Sequence, residues 1–124
     1  MSVIGTQVRK VMSASTMMGD KVVNPDNEDL GDIKEFMIDM DTGCVAYAVL
    51  AAGGLLGLGE KLFAIPMQAL TLDEDRKLFI LNVSKQKLKE ASGFDKDHWP
   101  DMANEEWARK IHEYYGYKPY WEAK

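Results

Sequence analysis

Cys44 is the only cysteine of the 124 residues and His98 and His112 are the only imidazoles, so a thiolate–imidazole pair is the one nucleophilic dyad this chain could assemble. Cys44 opens an apolar run, where a thiol is expected to pack as a small hydrophobe and not to be activated. No serine stands in a nucleophile elbow. Neither histidine lies a helical turn from the other or beside the cysteine, so a metal site would need carboxylates brought in by the fold, and none is expected. Asp39-Met40-Asp41-Thr42-Gly43 echoes the start of a calcium loop, but Cys44, Val45 and Ala46 follow and the later glutamate is missing, so turn chemistry explains it better. The carboxylates at Asp73, Glu74 and Asp75 and at Glu105 and Glu106 fall in a loop and at a helix start, where solubility and capping account for them.

Gly53-Gly54-Leu55-Leu56-Gly57-Leu58-Gly59 has the glycines of a phosphate cradle without the helix that must follow one. The next residues, Glu60 to Pro66, read as a strand, and no Walker lysine precedes a serine or threonine. The run is therefore expected to connect two strands, with Leu55, Leu56 and Leu58 left as a small apolar contact patch for a protein. No catalytic residue and no cofactor site is expected anywhere in the chain, which is read as no enzyme.

The charge balance, 20 acidic residues against 15 basic, gives a net charge of −5 and disfavours a nucleic-acid partner. Arg9 and Lys10 are isolated, and Lys85, Lys87 and Lys89 alternate with Gln86 and Leu88 on what reads as a solvated face. The aromatic tail Tyr114-Tyr115-Gly116-Tyr117-Lys118-Pro119-Tyr120-Trp121 could stack on single-stranded bases, but its acidic surroundings favour packing or a protein interface. Trp107, Tyr114, Tyr120 and Trp121 are the interface candidates there.

These residues must be held by elements. A short strand around Val22 and Val23 ends in the turn Asn24-Pro25-Asp26-Asn27. From Leu30 to Met40 the apolar positions switch parity, Ile33 being odd and Phe36, Ile38 and Met40 even. A β-bulge near Lys34 and Glu35 would restore one face and add the bend a small barrel needs. Asp41-Thr42-Gly43 turns tightly into a strand from Cys44 to Ala51. That strand is apolar at both parities, as are Leu62 to Ile65 and Leu78 to Leu81, so both of their faces must be covered. The C-terminal segment or a second copy of the chain would supply the outer cover. Pro66 ends the fourth strand, Met67 to Leu70 make a helical turn, and Asp73 to Arg76 form a loop into the fifth. Ser84 caps a helix to Ala91 that Gly93 stops. Asn104 caps a second one that Gly116 ends, with Trp107, Ile111, Tyr114 and Tyr115 as its apolar stripe. The first residues have neither the apolar block of a secretory signal nor that of a membrane span.

Ala14-Ser15, Gly19 to Asn24, Glu28 to Ile33, Ile38-Asp39 and Gly43 to Leu50, followed by the glycine run and Phe63-Ala64-Ile65-Pro66, resemble the PRC-barrel family over residues 14 to 83. The tail, through Phe94 to Pro100 and Tyr114 to Trp121, is similar to that of stand-alone bacterial members. The family is known from the cytoplasmic part of the photosynthetic reaction centre H subunit and from a domain of a ribosome-maturation factor. The resemblance implies a small, strongly bent antiparallel β-barrel, mainly β in class, used as a protein-interaction module.

The expectation is then a flexible lead-in over residues 1–13, a barrel over 14–83, and a helical, aromatic-rich extension over 84–124 that packs on the barrel or on a second subunit. The expected role is a cytoplasmic, non-enzymatic adaptor that binds another protein and forms a homo-oligomer, a dimer before larger assemblies. A ribosome- or RNA-associated assembly factor is the alternative.

Overall fold

The computed structural model describes residues 11–53 and 60–122. A single helical turn, α1 (Ala14–Met17), leads into β1 (Lys21–Val23), β2 (Asp29–Ile38), β3 (Val45–Ala51) and β4 (Leu62–Pro66). A 3-10 turn at Met67–Ala69 then passes to β5 (Leu70–Asp73) and β6 (Leu78–Leu81), and two helices follow, α2 (Lys85–Lys89) and α3 (Glu105–Tyr115). The strands form one strongly curled sheet in the order β4-β3-β2-β1-β6-β5.

The parity switch in β2 has the cause its sequence predicts. Ile33 pairs with Leu50 and Glu35 with Val49, so Lys34 is the extra residue of a bulge, and Ile33 and Phe36 are both buried. A second shift lies between Met37 and Ile38. Gly31 makes the bend possible at the other end of the strand: its φ is 136°, and a β-carbon there would stand 2.2 Å from the Ala51 carbonyl oxygen. Only glycine lets the two backbones approach so closely.

The sheet is not wholly antiparallel: β1 pairs antiparallel with β2 and parallel with β6. The excursion through β2 to β5 is long enough to bring β6 back in the same direction. Leu70 closes the expected turn as a 3-10 turn, its N–H donating to the Met67 carbonyl, and at the same time starts β5, paired with Leu81. Most of the expected lead-in, residues 1–10, lies outside the described residues, and a helical turn begins at Ala14.

β3 is buried from Ala46 to Leu50 and β4 throughout, as their double apolarity requires. The inner face carries the main core with Phe36, Leu50, Phe63 and Phe79. The outer cover comes from the same chain: Trp107 and His112 of α3 both stand edge-on to the Tyr47 ring at 5.4 Å between centroids. The free edge of β4 is closed by Phe94, whose N–H and C=O exchange hydrogen bonds with Leu62 at 2.8 and 2.9 Å. Helix signals hold residue by residue, since Ser84 Oγ accepts from the Lys87 N–H and Asn104 Oδ1 from the Trp107 N–H. Gly116 ends α3 in the left-handed conformation at φ 87°. α2 is shorter than expected and stops at Lys89.

Candidate functional site

Three segments distant in sequence meet at one end of the sheet. The bulged end of β2 and its turn supply Met37 to Asp41, the start of β3 supplies Ala46 and Tyr47, and the approach to α3 supplies Met102 and Glu105. The C-terminal strap closes the fourth side with Tyr120 and Trp121, leaving an open groove of about 660 Å³.

The strap is held by polar bonds at both ends of one tyrosine. The Tyr120 N–H donates to His112 Nε2 at 3.3 Å, and the Tyr120 hydroxyl donates to Asp39 Oδ2. His112 is fully buried and its Nδ1 lies 2.8 Å from the Ala108 carbonyl oxygen. One tautomer satisfies both contacts, with Nδ1 protonated and donating and Nε2 accepting. Burial lowers the His112 pKa from its ordinary value. Beyond Tyr120, Arg109 stacks on the Trp121 ring at 5.6 Å and reaches Glu122 at 2.7 Å and Glu105 at 3.1 Å.

Asp39 is the hub of the turn. Its Oδ1 accepts from the N–H groups of Asp41 and Thr42, which is the turn chemistry its sequence points to. With the Tyr120 phenol on Oδ2, these bonds favour the ionised form and lower its pKa. Burial, reinforced by the Asp39 carboxylate, pushes the Tyr120 phenol up to about 12. Tyr47 lies in the groove floor with only 1% of its surface exposed. Among the described residues its hydroxyl has no hydrogen-bond partner, and burial raises its pKa as well.

The interface residues proposed from sequence separate here. Tyr120 and Trp121 line the groove, whereas Trp107 is half-buried against Tyr47 and Tyr114 covers α2, its hydroxyl donating to the Lys87 carbonyl. Leu55, Leu56 and Leu58 lie outside the described residues. The glycine run that contains them joins β3 to β4, which are antiparallel neighbours. Cys44, expected to be packed, is exposed, because β3 begins only at Val45 and the thiol stays in the turn. His112 cannot serve it as a base while both of its nitrogens are engaged. Among the described residues no cluster of three histidine, cysteine or acidic side chains could hold a metal ion, and no helix is long and apolar enough to cross a membrane.

Sequence reading missed Met37, Met40, Tyr47 and Met102 as parts of a site. Met40 carried a signal, as a large apolar residue beside the turn, and it is 87% exposed with Ile38 and Val45 also open to solvent. Compared with known families, residues 9–88 match the model of the PRC-barrel domain. No curated protein matches the chain.

Proposed function

The chain belongs to the PRC-barrel domain family, and on that premise we propose that it is a non-enzymatic module of the cytoplasm that docks another protein. The observation that carries this reading is the open groove, whose lining combines Met37, Met40, Met102, Tyr120 and Trp121 with exposed Ile38 and acidic side chains, and which adjoins exposed Val45. Such surfaces suit adaptable protein contact, because thioethers repack around different partners and aromatic rings bring large area at small entropic cost. Catalysis finds little support there: the Asp39 oxygens are occupied by donors and the phenols are held protonated.

Trp107, His112 and Tyr120 of the same chain cover Tyr47 on the outer face of β3, so this position needs no second copy to bury it. A pull-down from native cells with bound protein and RNA both identified tests the docking role. A specific protein partner that survives nuclease treatment is the expected result. Recovery of RNA alone, with binding that weakens steeply as salt rises, would replace this function with the RNA-associated one.

A further inference from the structure

The groove's charge narrows the partner. Asp39, Asp41 and Glu105 line it, and among the described residues no lysine or arginine does. Arg109, which approaches from α3, is spent on Glu105, Glu122 and the Trp121 ring. Two carboxylates, on Asp39 and Asp41, therefore line the groove with no cationic side chain beside them among the described residues. A phosphate backbone or an anionic lipid surface would be repelled, and a second copy of a chain carrying a net charge of −5 gains nothing electrostatically.

Resting on the docking reading above, we propose that this groove receives a cationic amphipathic segment of a partner protein. Its lysine or arginine side chains meet the Asp41 carboxylate in the field of Asp39, while its apolar face lies on Met37, Met40 and Met102. Exposed Ile38 and Met40 in the lining, with Val45 paired beside Ile38, give an open apolar surface next to the carboxylates, which suits the apolar face of a polypeptide segment.

The test is a titration of the full chain, followed by tryptophan emission, with a helical leucine–lysine peptide, its leucine–glutamate counterpart and an RNA oligonucleotide. The lysine peptide is expected to bind and to weaken with salt, and the glutamate peptide and the RNA to bind at least about tenfold less tightly. Asp41→Lys and Met40→Lys, both at exposed positions, should each weaken the lysine peptide about tenfold while leaving the circular dichroism unchanged.

Equal binding of the two peptides, tighter binding of RNA, or unchanged affinity in both charge variants would overturn the proposal. So would a dimer in light scattering that Met40→Lys dissociates, because a second copy would then fill the groove. A cellular protein captured equally by wild type and Asp41→Lys would leave the docking function standing and remove this groove as its seat. No captured protein and no peptide binding would remove both.

Discussion

Single side chains hold the parts of this molecule that the sheet alone does not. Asn24 is nearly fully buried, yet its amide donates to Glu28 and to the Val83 carbonyl, and its Oδ1 accepts from the N–H groups of Asp26 and Glu28. Asn24→Ala strands these partners and should cost about 2 kcal/mol in urea denaturation. Tyr120→Phe should cost about 1 kcal/mol and return the Asp39 pKa toward 3.8, followed by NMR titration of its carboxyl carbon. His112 sets an acid limit. Its folded-state pKa lies below the ordinary 6.5, so the unfolded chain takes up a proton that the folded one refuses. The stability it contributes is full above 6.5 and lost as pH falls through the lowered value. Urea midpoints should therefore drop between roughly pH 7.5 and roughly pH 5.5, and His112→Gln should flatten that part of the profile.

At the scale of elements, the close crossing of β2 and β3 is the least forgiving point. Gly31→Ala puts a methyl carbon into the Ala51 carbonyl at a φ that side chains rarely adopt, and the expected outcome is a chain with no cooperative thermal transition. The elements differ in how plainly their residues announce them. The bulge at Lys34 is legible because Ile33 and Phe36 must share a face, and α3 because Asn104 and Gly116 punctuate it chemically. β5 is hidden, since Leu70 and Leu72 are its only apolar residues and a neighbouring turn competes for Leu70. The groove is hidden for a different reason. Tyr47 reads as one more apolar strand residue, and nothing local places it beside Met102 or Tyr120, which are brought there by long-range packing. His112, weighed for metal and nucleophilic chemistry and set aside, stands next to Ile111 and a turn before Tyr115, which puts it on the buried side of α3.

Across the whole molecule, the extension behaves as part of the core and not as an appendage, because α3 covers a strand face whose residues are fully buried beneath it. Removal of residues 104–124 should expose that face and yield a protein that aggregates or associates, seen as high-mass species in light scattering, where the full chain elutes at lower mass. The parallel pairing of β1 with β6 adds a constraint of another kind. Three residues near the start of the chain, Lys21 to Val23, tie the β2–β3–β4 meander to the β5–β6 hairpin, and their partners are Leu78 to Ile80. A ribosome making this protein therefore cannot release a finished sheet piece by piece. Until Ile80 has cleared the exit tunnel, β1 has an unpaired side and the barrel half-made on β2 and β3 stays open, so that translation speed through β4 and β5 sets how long a sticky nascent edge is on view to chaperones.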